Sequence, residues 1–293
     1  MSYSLPVKPS LQTTSSTMIE ESSNIVAVVV PMYKKELDDD EQISYRHLAR
    51  YLAKFDKYLV SPESLKVERE GFGIKRFRDE FFHSTATYSA LLISPEFYRA
   101  FRHYEYILVY QLDSLVFSDK LLDWCAKDFD YIGAPWFNED GADFVEESAV
   151  GNGGLSLRKI ASFLKVLETP GADEEMEKYR DALFAALPWH RQLFYLPYKL
   201  RKWLSLSVAK GQDILNEPGR VPAGERLNED CFWSFRARDY YSKFKIAPVR
   251  EALSFSFEMV PRRCFELNGK RLPFGCHAWN KYDREFWEPF LLK

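Results

Sequence analysis

A carboxylate and an imidazole that lie far apart in the sequence could together hold a metal ion. Asp113 comes soon after a buried-strand pattern, Tyr106–Tyr110. Ligands of open α/β sheets bind beyond the carboxyl ends of the strands, so this aspartate is placed to bind a hard cation that bridges a diphosphate. His277 lies among aromatic residues and could complete the metal shell as a neutral imidazole. The alternatives are a turn or cap role for Asp113 and a structural role for His277.

A glycine-rich segment could allow a substrate to approach the backbone closely. It runs from Gly151 to Gly154, with glycine at three of its four positions. Glycine permits unusual backbone angles and leaves space that a side chain would fill. The segment is not a phosphate-binding P-loop, because no Gly-Lys-Ser/Thr follows it, and it is not a dinucleotide fingerprint. An ordinary flexible turn is the alternative.

A pair of acidic residues could supply a general base. Glu229 and Asp230 follow Asn228 and open a predicted helix. The helix dipole stabilises ionised carboxylates at this end, and an ionised carboxylate aimed at a pocket can accept a proton from a hydroxyl. Helix capping without catalysis is the alternative.

The elements that must position these residues alternate between strands and helices, which predicts an α/β domain with a mostly parallel central sheet. The predicted strands are Ile25–Val30, Tyr58–Val60, Tyr106–Tyr110, Tyr131–Ile132 and Gly154–Leu157. The predicted helices are one that carries Ile43, His47 and Leu48, one over residues 85–101 with a break at Pro95, one capped by Ser118, and one over residues 159–168. The acids Asp38–Glu41 are expected at the N-terminus of the first helix.

Two segments stand apart from this pattern. Residues 1–23 are rich in Ser and Thr and are expected to form a disordered tail, without the apolar stretch of a secretory signal. Residues 24–293 are expected to form one domain with a helical insertion at about 171–226. Within the insertion, residues 189–203 mix aromatic and basic side chains, as segments that lie on anionic membranes do. The alternative is a helical lid packed on the sheet.

Composition excludes several classes of protein. Of 293 residues, 46% are hydrophobic and 28% are charged, so the chain is neither wholly disordered nor fibrous. Lys and Arg number 40 against 43 Asp and Glu, which argues against a broad nucleic-acid surface. Aromatic residues reach 16%, which fits either stacking on sugars or an aromatic core. The four cysteines form no C-x-x-C pair, which favours reduced thiols in the cytoplasm.

The order of the motifs resembles the GT-A fold of nucleotide-sugar glycosyltransferases. That order is a strand followed by x-x-Asp, a glycine loop, a Glu-Asp pair at a helix start and a late His. The resemblance is closer still to a bacterial GT-A-like domain family and runs from about Ile25 to Trp279. The stretches that carry it are YILVYQLDSLVF, DYIGAPWF, VGNGGLSLRK, NEDCFW and LPFGCHAW. It implies a GT-A-like (Rossmann-like) mixed, mostly parallel sheet flanked by helices.

The resemblance also implies how a donor would be bound. Asp113, matching the last Asp of the family's D-x-D motif, and His277 would bind Mn²⁺ or Mg²⁺. Gln111 replaces the first acid of that motif, and its amide could contact the ribose or the donor sugar. The nucleotide base and ribose would lie at the end of the first strand, against Val30, Pro31 and Tyr33.

For catalysis, the resemblance implies an inverting transfer. Asp230 would be the base, with Glu229 beside it, while Gly153 and Gly154 would border the donor sugar and the acceptor. A retaining mechanism remains open, because the sequence does not show which face the acceptor occupies.

The implied function is transfer of a sugar from a nucleotide-diphosphate sugar, UDP by common usage, to a saccharide or lipid-linked acceptor. Such a transferase would act in cell-surface polysaccharide synthesis, in the cytoplasm and at the inner face of the membrane. A sugar nucleotidyltransferase is disfavoured because the turn Pro31–Lys35 contains no glycine. A non-catalytic carbohydrate-binding or scaffold protein and a metal-dependent hydrolase remain as rivals.

Overall fold

The computed structural model describes residues 25–137, 144, 149–172, 174, 176, 178 and 228–292. The expected tail at residues 1–23 lies outside the described residues. So do most of the insertion expected at 171–226 and the whole of the aromatic and basic segment 189–203. No helix among the described residues is long and apolar enough to cross a membrane.

A six-stranded mixed sheet forms the centre of the fold. In spatial order its strands are β3 (Phe72–Phe77), β2 (Asp56–Pro62), β1 (Val26–Pro31), β4 (Tyr106–Tyr110), β9 (Leu155–Lys159) and β6 (Tyr131–Ile132). The first four run parallel, and β9 and β6 are antiparallel to their neighbours. The predicted α/β fold with a mostly parallel central sheet is therefore confirmed. The edge strand β3 has no counterpart among the predicted strands.

Smaller strands and short helices complete the described chain. A three-stranded sheet contains β5 (Leu115–Val116), β10 (Ser256–Phe257) and β11 (Gly275–Cys276), and a two-stranded one contains β7 (Ala134–Pro135) and β8 (Val150–Gly151). The helices are α1 (Asp39–Tyr51), α2 (Thr85–Leu92), α3 (Pro95–Arg99), α4 (Leu121–Cys125), α5 (Ile160–Leu167), α6 (Glu229–Phe235), α7 (Ala237–Tyr240), α8 (Val249–Phe255), α9 (Pro261–Leu267) and α10 (Arg284–Trp287). Two 3₁₀ turns lie at Asp79–Phe82 and Glu288–Phe290.

Strand β1 is buried on both faces. Ala27 and Val29 pack into one hydrophobic cluster, and Val28 and Val30 pack into another on the opposite side of the sheet. A continuous β-branched run suits this position because neither face meets water. The apolar sequence therefore fixes β1 at the centre of the sheet.

Two of the predicted helix boundaries are confirmed and one is wrong. Asp38 caps α1 in a capping box with Glu41, so the acids lie at a helix N-terminus as expected. Pro95 separates α2 from α3. The predicted cap at Ser118 is wrong: α4 begins at Leu121. The chain just before Ser118 is still held to the three-stranded sheet, where Phe117 N–H donates to the carbonyl of Phe274 at 2.8 Å.

The order of the strands leaves a crevice between β1 and β4. After β1 the chain builds β2 and β3 on one side and then returns to the other side of β1 to form β4. Connections therefore leave β1 and β4 in opposite directions at their carboxyl ends. In open α/β sheets this switch point is where ligands bind.

Candidate functional site

A cleft of about 600 Å³ lies at that switch point. Its walls come from the chain after β1, from the residues before and within α2, and from the turn after β4; they are Pro31, Met32, Tyr33, Lys34, Asp38, Glu41, Phe82, His83, Ser84, Thr85, Tyr88, Gln111, Leu112, Asp113 and Asn280. Four residues predicted to bind the donor or the metal are among them: Pro31, Tyr33, Gln111 and Asp113. Val30 is not, since it packs in the core with 1% exposure, so its side chain cannot contact a ligand there.

Of the predicted metal pair, Asp113 lines the cleft and His277 lies behind it, outside the lining residues. Asp113 Oδ1 lies 3.2 Å from His277 Nε2. The turn that presents Asp113 is closed by a 2.9 Å hydrogen bond from Ser114 N–H to the carbonyl of Gln111. Both facing atoms are buried, and neither has a hydrogen-bond partner of good geometry. The two atoms form an ion pair when the imidazole carries a proton. A divalent cation would take the place of that proton, since a carboxylate oxygen and a ring nitrogen are both metal ligands.

A second carboxylate holds the other side of the imidazole. Glu258 Oε1 lies 3.1 Å from His277 Nδ1. Burial lowers the pKa of His277, but the carboxylates of Asp113 and Glu258 outweigh it and raise the pKa to about 10. For Asp113, burial raises the pKa, and His277 outweighs burial and lowers it. Fixing the ring of a metal-binding histidine through its second nitrogen is the usual arrangement in metal sites.

Glu258 was not among the residues predicted from sequence. It follows directly after β10, a two-residue strand that is not among the predicted strands, so the rule that placed Asp113 at a strand end did not reach it. Among the described residues, no group of three or more His, Cys, Asp or Glu side chains is arranged to hold a metal ion. A cation at Asp113 and His277 would therefore take its other ligands from substrate phosphate or water.

The glycine segment makes room for protein side chains. None of its three glycines has a left-handed φ; that conformation is adopted by Asn152, with φ +87°. A Cβ at Gly153 would overlap the carboxylate of Glu229, and one at Gly154 would overlap the imidazole of His277. The space expected to admit a substrate is thus taken up by two of the predicted site residues, which pack directly against the loop.

Asn152 joins this loop to the predicted base. Its backbone N–H donates to Asp230 Oδ2 at 2.9 Å, and its side-chain Oδ1 accepts from Gly154 N–H at 3.0 Å. Burial raises the pKa of Asp230, while the N–H groups of Asn152 and Cys231 stabilise the carboxylate and oppose that rise. Asp230 is thereby held beside the loop that packs on His277. Asparagine is the non-glycine residue that best tolerates a left-handed φ, which is the signal that could have found Asn152.

Glu229 faces the protein interior. It is 3% exposed, and its Oε1 pairs at 2.9 Å with Arg158, which has no exposed surface. Burial raises the pKa of Glu229 to about 7, and the charge of Arg158 limits the rise. The placement of Glu229 beside the base stays a prediction; in the structure its side-chain contacts are with Arg158 and the loop. Arg158 was not predicted. It lies directly after the predicted strand Gly154–Leu157 and next to Lys159, so the local sequence does not distinguish it from a surface residue.

Replacing Gly154 by alanine is expected to destabilise the fold by about 1–3 kcal/mol, because the added methyl group overlaps a pinned imidazole. His277 cannot swing away freely, since Asp113 and Glu258 hold both ring nitrogens. Denaturant unfolding measures the change. The same substitution made in a His277→Ala background should cost much less, and an equal cost in both backgrounds would contradict this packing.

A protein-family model matches most of the chain. Residues 71–277 match the model of a family described as "Protein of unknown function (DUF5672)". This match covers more than half of the chain. The chain belongs to the DUF5672 family. The matched DUF5672 region contains Asp113, the glycine loop, Asp230 and His277. Among curated proteins, none matches the sequence.

Solved structures similar to this DUF5672 chain include two glycosyltransferases. One is "a glycosyltransferase involved in the glycosylation of the major capsid of PBCV-1", with a TM-score of 0.45, 10% identity, and coverage of 90% of this chain and 98% of that one. The other is the apo form of the glycosyltransferase GlyE from Streptococcus pneumoniae TIGR4, with a TM-score of 0.42, 13% identity, and coverage of 91% of this chain and 60% of GlyE. This chain thus spans less than two thirds of GlyE.

Proposed function

We propose that the protein is a glycosyltransferase that moves a sugar from a nucleotide-diphosphate sugar to an acceptor hydroxyl. One observation carries the proposal. The cleft at the carboxyl ends of β1 and β4 is bordered by Asp113, whose buried Oδ1 pairs with His277 Nε2 at 3.2 Å. A cleft at this position suits a nucleotide, and the carboxylate–imidazole pair suits a cation that accompanies a diphosphate.

Different residues of the chain would bind different parts of the donor. The segment Pro31–Tyr33 would contact the nucleoside, with the 62% exposed ring of Tyr33 at the cleft. Gln111 would donate its amide N–H to a hydroxyl of the ribose or the sugar. Asp113 and His277 would hold Mn²⁺ or Mg²⁺. Bound there, such an ion supplies positive charge that neutralises the departing diphosphate.

Asp230 would act as the base. Its carboxylate takes the proton of the acceptor hydroxyl as that oxygen bonds to the anomeric carbon from the face opposite the diphosphate. The bond from the anomeric carbon to the phosphate oxygen breaks, its electron pair leaves with the nucleotide diphosphate, and the anomeric configuration inverts. The hydrogen bonds from Asn152 N–H at 2.9 Å and Cys231 N–H at 3.0 Å keep the carboxylate oriented.

The finer parts of the proposal follow the family resemblance. UDP is the proposed nucleotide, and a saccharide or lipid-linked acceptor of cell-surface polysaccharide synthesis is the proposed acceptor. The support for contact with an anionic membrane, from the cytoplasmic side, is the mixture of aromatic and basic residues in the segment 189–203.

A non-catalytic carbohydrate-binding protein on the same fold is the second candidate. It is favoured by the amide of Gln111 in place of the first D-x-D acid. The lack of any three-residue metal group among the described side chains also favours it. Against it, carbohydrate binding without catalysis gives no reason for Asp113, His277 and Asp230 to lie around one loop.

Thermal unfolding with UDP, GDP, CDP and dTDP, each with and without Mn²⁺, tests the proposal. A ligand at 100 times its dissociation constant should stabilise the fold by about 2.7 kcal/mol. We expect one nucleotide to stabilise it, and to do so only with metal. Stabilisation without metal would remove the metal role of Asp113 and His277. If no nucleotide stabilises the protein, the transferase proposal fails and the non-catalytic alternative takes its place.

A further inference from the structure

The most deeply buried charge among the described residues lies one layer behind the proposed base. Arg158, on β9, has 0% exposure. Its guanidinium donates to Glu229 Oε1 at 2.9 Å, to the Tyr98 hydroxyl at 3.1 Å and to Ser156 Oγ at 3.0 Å. A cation without contact with water is costly unless its partners compensate it. Such a group calls for an explanation beyond filling space.

Stability alone does not explain the pair of Arg158 and Glu229. Replacing a buried ion pair by apolar residues of similar volume is often neutral or stabilising. Removing only one partner leaves a buried charge without compensation and is destabilising. The surroundings could accept apolar side chains, because the rings of Tyr131 and Phe163 already lie 5.7 and 5.8 Å from the guanidinium. The charges are therefore better explained by the geometry that they impose.

That geometry leads from Arg158 to the loop. The Glu229 oxygen that Arg158 binds is also the atom that fills the missing side-chain position of Gly153. The neighbouring loop residue, Asn152, hydrogen-bonds Asp230, the residue that follows Glu229. Glu229 and Asp230 thus contact adjacent positions of one loop, Gly153 and Asn152. Arg158 fixes the contact between Glu229 and Gly153.

We infer that Arg158 is a positioning residue, which holds Glu229 against Gly153 and so sets the place of the Asp230 carboxylate relative to the Asp113–His277 pair. The inference rests on the proposed function in taking Asp230 as the base. Without the guanidinium, the Glu229 carboxylate would be buried with an uncompensated charge. It would have to take up a proton or move away from the loop, and either change releases the contact with Gly153.

Three variants separate positioning from stability: Arg158→Met, the double variant Arg158→Met/Glu229→Met, and Arg158→Lys. The single Met variant should lose thermal stability because it leaves the charge of Glu229 buried without a partner. The double variant should regain most of that stability, since no buried charge remains. Its kcat should stay about 10²-fold below that of the wild type, the usual cost of a misplaced catalytic group, with KM for the donor little changed. Arg158→Lys keeps the positive charge. Its kcat should therefore lie between those of Arg158→Met and the wild type.

Leu52→Ala supplies the matched control. Leu52 is fully buried at the end of α1, in the cluster on the opposite face of the sheet from Phe163, which contacts Arg158. It should lower the unfolding temperature without lowering kcat, which shows that lost stability by itself does not slow transfer. A double Met variant that regains kcat together with stability would overturn the inference.

Amide hydrogen exchange keeps the test independent of turnover. The N–H groups of Asn152 and Gly154 donate to Asp230 Oδ2 and Asn152 Oδ1, so their exchange reports on the loop directly. We expect faster exchange at both amides in the Arg158→Met single and double variants, with no change in Leu52→Ala. If the wild type transfers no sugar, the proposed function fails while this readout still decides the inference. Unchanged exchange in the double variant would overturn it.

Discussion

Asp113→Ala is expected to abolish the effect of metal on nucleotide binding and to lower the rate of sugar transfer by about 10³-fold. Asp113 is the only carboxylate among the described residues that both lines the cleft and faces His277. A bound metal ion contributes several kcal/mol of charge stabilisation in reactions of this kind, and about 1.36 kcal/mol corresponds to a tenfold change in rate. Thermal unfolding with nucleotide and Mn²⁺, together with kcat for the donor, measures both effects.

Asp119→Ala is the control for this experiment. Its side chain is 68% exposed and pairs with Lys54 at 3.5 Å, a surface contact outside the residues that line the cleft. It should bind nucleotide and transfer sugar as the wild type does. His277→Ala should resemble Asp113→Ala, because the two side chains face the same position. A wild-type response to Mn²⁺ in Asp113→Ala would remove the proposed metal site.

Asp230→Asn is expected to lower kcat by about 10²–10⁴-fold, the usual contribution of a general base, and to leave nucleotide binding intact. The amide oxygen of asparagine can still accept the hydrogen bond from Asn152 N–H, so the loop should keep its place. The ability to take a proton is lost, together with the hydrogen bond from Cys231 N–H, which an amide nitrogen cannot accept. Steady-state kinetics and thermal shift with the nucleotide measure the two properties separately.

The pH profile gives a second measure of the same role. Burial raises the pKa of Asp230 above the ordinary value for aspartate. A base with a raised pKa becomes protonated at a higher pH, so kcat/KM should fall with acidification earlier than for an ordinary carboxylate. Asp239→Asn, which changes an exposed acid paired with Arg236, should leave kcat and the profile unchanged. A rate in Asp230→Asn equal to that of the wild type would exclude Asp230 as the base.

Local sequence determined the central elements. The β-branched run before Pro31 can be buried on both faces, and it forms β1 at the middle of the sheet. The acids at Asp38–Glu41 build a capping box at the start of α1. In each case the physical cause acts between neighbours in the chain: the hydrophobicity of one strand, or a side chain that meets the backbone three residues away. Such causes can be recognised without knowing the tertiary structure.

The residues of the candidate site could be predicted from the sequence only in part. Asp113, Asp230 and His277 were predicted from their residue types and order, and the structure gathers them around one loop. Their neighbours Glu258, Arg158 and Asn152 were missed. Edge strand β3 was also missed, since charged residues interrupt its pattern.

Tertiary structure decided what surrounds each site residue. Glu229 and Asp230 are adjacent and both acidic, yet one is paired with a buried arginine and the other is held by two backbone N–H groups. The glycines of the loop were assigned to a substrate, but they make room for Glu229 and His277. Apart from the N–H of the adjacent Cys231, these differences arise from contacts between residues that are about 70 to about 125 positions apart in the chain. Composition and spacing describe which groups the chain carries, while burial and the nearest charge, which set what each group does, depend on how distant segments pack.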